Sequence, residues 1–201
     1  MCLGGTHRAS RLVSLLGVKA ALQELASYPG GVASGSVTEF SGKKITFPSA
    51  ETVFGTLLLP ADDLIAGYQF RMVGEFVMGT APPPLTINFR IGRGAVSDPL
   101  LGTSGRFTPA RKSYTGKWWA EGFVYFTSTG PSGRCQAGGL FSDDIETAGT
   151  VAGEMSRAHP MGSRDSAADT TSGLVLSVAI ATSAAAGCSV SALAGSAESL
   201  G

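Results

Sequence analysis

Histidine, cysteine and charge are all scarce in this sequence, and each shortage removes a class of function. Among 201 residues there are two histidines, His7 and His159, and three scattered cysteines, Cys2, Cys135 and Cys188. No Cys-x-x-Cys occurs, so local sequence supplies neither a zinc site nor a dithiol redox centre. The cysteines read as small buried hydrophobes; a Cys135–Cys188 bridge is compatible with their positions but not implied by them. Charged residues make up 15% of the chain, against about 25% in an ordinary soluble domain, and fifteen basic residues cancel fifteen acidic ones. A neutral chain has no field to gather nucleic acid or an anionic membrane surface. So little charge also falls short of covering a monomer of this size, which points to surface covered by other subunits.

Long apolar runs are missing too. Residues 170–197 carry no charge, but Leu174, Leu176, Val178 and Ile180 alternate there with Val175, Ser177, Ala179 and Ala181. That is a strand pattern rather than the roughly 20 continuous apolar residues of a membrane span. The short apolar core after Arg11 is broken by Lys19 and Glu24, so a secretory leader is not expected. Catalytic motifs are equally thin. No Gly-x-Ser-x-Gly follows a strand, and neither histidine has a local orienting group, so no Ser-His-Asp site is expected. Asp62-Asp63 and Asp143-Asp144 lack calcium-loop spacing and a closing Glu; they read as turn or cap acids. Gly-Arg-Gly at 92–94 is followed by no Lys-Ser/Thr and opens no helix, so it is not a phosphate loop. The expectation is a chain without enzyme activity, cofactor or metal.

What the chain does have is period-two alternation, clearest over residues 67–92. Tyr68, Phe70, Met72, Phe76 and Met78 take every second place, with Gly74 the one gap, and Gln69, Arg71 and Glu75 lie between them. After Pro82-Pro83-Pro84 the pattern resumes as Leu85, Ile87, Phe89 and Ile91 against Thr86, Asn88 and Arg90. Side chains alternate across a strand, so this predicts two strands of an antiparallel sheet with one wet face. The prolines offer no N–H for a ladder and end the first strand. Further strands are expected at residues 44–47, 53–59, 117–127, 134–141, 174–181 and 188–193, with shorter pieces near 106–108 and 150–154. Residues 142–169 otherwise read as irregular. About eight strands without βαβ alternation predict an antiparallel β-sandwich. The expected core includes Phe70, Met72, Phe76, Ile87, Phe89, Trp118, Val124, Leu176, Val178 and Ile180.

Residues 1–42 differ from this. Ser10 is a good N-cap for a helix over residues 11–26, whose Leu15, Val18, Leu22 and Leu25 are spaced three, four, three and form an apolar seam. Two heptads do not hold a helix alone in water, so the seam must pack on its own domain, on a symmetric bundle or on a partner. Residues 30–42 are Gly/Ser-rich and read as a linker. The expected organisation is an arm, 1–42, and a sandwich, 43–201.

Trp118-Trp119 is the other notable feature. Neighbours on a strand face opposite sides. Trp118 shares its side with Ala120, Gly122, Val124 and Phe126 and is the core candidate. Trp119, Phe123 and Tyr125 form an outward aromatic row, a candidate subunit interface, a surface for a covering loop or arm, or a sugar-binding platform.

The order of motifs resembles a β-sandwich module common in structural proteins of tailed bacteriophages. The residues that carry the resemblance are Thr56-Leu-Leu-Leu-Pro-Ala-Asp-Asp-Leu; Ile65-Ala-Gly-Tyr-Gln-Phe-Arg-Met-Val-Gly-Glu-Phe; Leu85-Thr-Ile-Asn-Phe-Arg-Ile-Gly; Trp119-Ala-Glu-Gly-Phe-Val-Tyr-Phe with its Gly-Pro-Ser-Gly turn; and Asp169-Thr-Thr-Ser-Gly-Leu-Val-Leu-Ser-Val. Asp62 stands where the family pattern has Asn, and Ala181 where an aromatic is common. The resemblance implies a jelly-roll-like sandwich, often trimeric, without enzyme activity or cofactor. It implies a virion component made in the host cytoplasm. Its expected role is a capsid decoration (cement) protein that stabilises a major capsid protein shell on its outer surface. The alternative role is a tail-fibre or baseplate module that recognises host surface glycan.

Overall fold

The computed structural model describes residues 39–59, 67–145, 157–161 and 165–200. The expected helix at 11–26, the Asp62-Asp63 corner and the short strand near 150–154 lie outside them. Every described residue belongs to one compact unit, residues 35–201.

Twelve strands are described: β1 (Phe40–Gly42), β2 (Lys44–Phe47), β3 (Thr52–Leu59), β4 (Gly67–Met78), β5 (Leu85–Gly92), β6 (Leu100–Phe107), β7 (Tyr114–Ser128), β8 (Arg134–Asp143), β9 (Arg157–Met161), β10 (Ser166–Ala167), β11 (Leu174–Thr182) and β12 (Ala185–Ser199). They form two antiparallel sheets. The smaller has the order β1-β3-β11-β5-β6; the larger runs β10-β8-β7-β4-β12-β2, with β9 also on β8. The two sheets enclose one core, so the β-sandwich expected from alternation is the fold of the described chain. Among the described residues no helix is long and apolar enough to cross a membrane.

Every residue of the expected core is buried. Phe70 of β4 meets Phe89 of β5 across the sandwich at 6.0 Å, and Phe54 of β3 meets Trp118 of β7 edge-on at 5.7 Å.

Three expectations need correction. First, β4 and β5 are not neighbours in one sheet: β4 lies between β7 and β12, and β5 between β11 and β6. The triproline segment between them crosses from one sheet to the other. Alternation reports one buried face and is silent on which strand lies alongside. Second, the linker read over 30–42 contains β1, whose Phe40 pairs in register with Leu57. One stretch of chain then changes sheets at Lys43, because β1 joins β3 and β2 joins β12. Third, the supposedly irregular region after residue 142 holds β9 and β10, both on β8. His159 is therefore a strand residue.

Candidate docking face

Most of the polar chemistry inside the described sandwich is tied into structure; the buried Ser172 and Ser177 hydroxyls have no hydrogen-bond partner among the described residues. On the smaller sheet Arg90 grips Glu51 with two bonds, Nε to Oε1 at 2.7 Å and Nη2 to Oε2 at 2.9 Å. Asn88 donates to the same carboxylate at 3.1 Å, and Arg90 Nη1 donates to the Asp98 carbonyl at 2.8 Å. Burial pushes the Glu51 carboxyl up, but the guanidinium and the Asn88 amide outweigh it and hold it below its ordinary value. Asp98 Oδ2 accepts the N–H groups of Arg93, Gly94 and Ala95 at 2.7–2.8 Å and folds this loop back, which brings Gly94 against Val175 and Thr56. Ser177 and Ala179, on the outward side of β11, are fully buried.

The Asp143-Asp144 pair is not simply a turn. Asp143 is buried; its Oδ1 accepts the Ile145 N–H at 2.9 Å and its Oδ2 lies 3.0 Å from His159 Nε2. His159 stacks on Phe107 at 4.6 Å and faces the core, with 11% of its side chain exposed. An oriented His–Asp pair is half of a hydrolytic arrangement, but a substrate would have to enter the core to reach it. Asp144 accepts the Lys117 N–H at 2.7 Å, a capping role of the expected kind. Cys135 and Cys188 are both buried free thiols. Burial, with the Asp165 carboxylate second, pushes the Cys135 thiol up to about 12, too high for a nucleophile. Among the described residues no three His, Cys, Asp or Glu side chains converge as a metal site.

The outer face of the larger sheet is different. The inner side of β7 carries Trp118, Ala120 and Val124, all buried. The outer side carries Trp119, Glu121, Phe123 and Tyr125. Trp119 is half-buried, flanked in register by Val73 and Ser142. Phe123 and Tyr125 are exposed at 38% and 47% and stack on each other at 5.9 Å. Gln69 and Gly138 flank Phe123, and Gly67 and Gln136 flank Tyr125. A side chain at Gly138 would meet nothing within 4 Å, so the surface beside Phe123 is open. Between Trp119 and Phe123, Arg71 and Glu121 pair across the ladder at 3.2 Å, half exposed. The row expected from sequence is thus present but graded: Trp119 is partly covered by its own sheet, and the uncovered part is the Phe123–Tyr125 stack. Leu15, Val18, Leu22 and Leu25 lie outside the described residues. The Arg71–Glu121 pairing was not read from sequence; the partners lie fifty positions apart and only the β4–β7 register brings them together.

No family model and no curated protein matches the chain. Among solved structures it is similar to a legume lectin-like domain from Entamoeba histolytica, at 7% identity over 82% of this chain and 91% of that one, with a TM-score of 0.27. At that score the likeness carries no argument.

Proposed function

We propose that this chain is a non-enzymatic structural protein of a tailed-phage virion, a capsid decoration protein that forms a homotrimer and stabilises the major capsid protein shell from outside. The observation that carries the reading is the uncovered aromatic stack of Phe123 and Tyr125 in a chain with only 15% charged residues. Exposed aromatic rows of this kind mark contact surfaces. The motif resemblance supplies the virion context. The described parts of its motifs lie on β3, β4, β5, β7 and β11. A decoration protein needs only complementary area on the assembled shell, which it stabilises by mass action. The seam of Leu15, Val18, Leu22 and Leu25 is the second proposed contact, with a neighbouring capsid subunit.

The test is electron microscopy of virions labelled on this protein. Label over the head surface is expected, and deletion of residues 1–30 should reduce it while leaving the trimer intact. Label confined to tails would sink the cement assignment. It would favour the second reading, a receptor-binding module, for which the stacked and open Phe123–Tyr125 pair is a suitable sugar platform.

A further inference from the structure

At one end of the smaller sheet, away from the aromatic row, Pro84, Thr86, Arg106, Thr182 and Ser183 surround a cleft of about 310 Å³. We propose that this cleft binds an acidic sugar unit, a uronic acid, with Arg106 holding its carboxylate.

The backbone turns Arg106 into this position. Along β5 the step from Asn88 to Thr86 is two residues, but their partners on β6, Thr103 and Arg106, are three apart. The extra residue is a bulge. Ser104 Oγ accepts the Ile87 N–H at 3.0 Å and itself donates to the Gly105 carbonyl at 2.8 Å, and Gly105 adopts φ 71°. Because side chains alternate, the bulge sends Phe107 into the core and Arg106 outward, opposite Thr86. Without it the strand phase would be reversed at this point.

The electrostatics select the ligand. Arg71, Arg90 and Arg134 each hold a carboxylate within 3.2 Å, whereas the Arg106 guanidinium has no such partner among the described residues. One planar guanidinium fork matches one planar, singly charged carboxylate. A phosphate dianion calls for further cations or a nest of N–H groups, which the cleft does not offer. The rest of the lining suits a sugar ring. Thr182 Oγ1 donates to the Pro84 carbonyl at 3.0 Å, which leaves its oxygen to accept from a ligand hydroxyl. Thr86 and Ser183 can donate or accept. Pro84 and Ala181 offer apolar surface to the C–H face of a ring, and the volume is at the small end of ligand sites. A peptide carboxylate would engage Arg106 and leave these hydroxyls without a role. The cleft shares no residue with the aromatic row, so the inference stands apart from the trimer and shell assignments.

Saturation-transfer NMR titration of the full chain tests it, with glucuronate and galacturonate as probes, glucose as the neutral control and an N-acetylated diglutamate peptide as the protein-like carboxylate. A uronate should bind, glucose should not, and the peptide should be weaker than the uronate. Arg106→Gln should weaken uronate binding by about tenfold or more, the loss of a charge-assisted pair. Arg106→Lys should restore it only in part, because an ammonium cannot form the fork. Arg106 is exposed, so these variants should fold as the parent does. Absence of uronate binding, binding that survives Arg106→Gln unchanged, or a peptide that binds as tightly as the uronate would each overturn the assignment.

Discussion

Trp118 shows how one residue ties the two sheets together. Its ring meets Phe54 of the smaller sheet edge-on and stacks on Phe141 of the larger at 6.0 Å, and its Nε1–H donates to the buried Ser191 carbonyl at 3.1 Å. The indole needs room, and Gly74 opposite it on β4 provides that room. A Cβ at position 74 would lie 2.5 Å from the ring and 2.0 Å from the Ser191 oxygen. The single gap in the alternation of β4 therefore lies where the indole crosses the strand. Trp118→Ala should cost about 3–5 kcal/mol through the cavity it leaves. Gly74→Ala should cost about 1–3 kcal/mol by overpacking. Denaturant midpoints at constant slope would measure both. If Gly74→Ala unfolds at the parent midpoint, the indole does not depend on that gap.

Among elements, β9 is held by more than its ladder. It is five residues long and pairs with β8 alone, and the Asp143–His159 contact fastens it from the core side. Asp143→Ala takes away the acceptor of the Ile145 N–H and the partner of His159 Nε2, so destabilisation of about 1–3 kcal/mol is expected. Hydrogen exchange should locate the loss first in β9; uniform loss across both sheets would assign the pair to the core as a whole. The Glu51–Arg90 clamp gives a pH signature. The Glu51 carboxyl is depressed in the fold, so its contribution is fully present above its unfolded value of about 4.3 and fades as pH falls through the lower folded value. Glu51→Gln should therefore flatten the acid limb of a stability-against-pH curve and leave its slope above pH 6 unchanged; a parallel curve would refute this. The long strands were legible because their alternation is local: Phe70, Phe89, Trp118 and Leu176 each announce a buried face. What stayed hidden depends on pairing between distant segments. Phe40–Gly42 and Ser166–Ala167 are too short to alternate. Asp143 and His159 are sixteen positions apart and match no motif spacing. In the far half of β12 the run Ala194-Gly-Ser-Ala holds only small residues, which carry little periodic contrast. The outward row was legible as a row, but Trp119 is half-buried because Val73 and Ser142 flank it from β4 and β8.

At the scale of the molecule the two outer faces differ, and the difference decides where a second copy would sit. On the smaller sheet the Asp98 loop and the Arg90–Glu51 clamp tie up polar groups, and the outward-facing Ser177 and Ala179 are fully buried. On the larger sheet Phe123 and Tyr125 remain open beside Gly138, and Arg71 and Glu121 next to Phe123 pair with each other. An open aromatic face placed about a three-fold axis is covered by its two copies, and that closed symmetry leaves no free end. Light scattering should therefore give three times the 20.4 kDa chain mass. Trp119→Glu should also break the assembly, but Trp119 packs partly within its own sheet, so that variant mixes association with folding. Tyr125→Glu separates the two. Tyr125 is half exposed in the single chain, so a carboxylate there is solvated in the monomer and the fold should keep its thermal midpoint. In the trimer three carboxylates would be buried without partners, each at a desolvation cost of several kcal/mol. The expected result is a folded monomer with the parent melting curve. A parent protein that is already monomeric at high concentration, or a Tyr125→Glu variant that remains trimeric, would place the contact elsewhere.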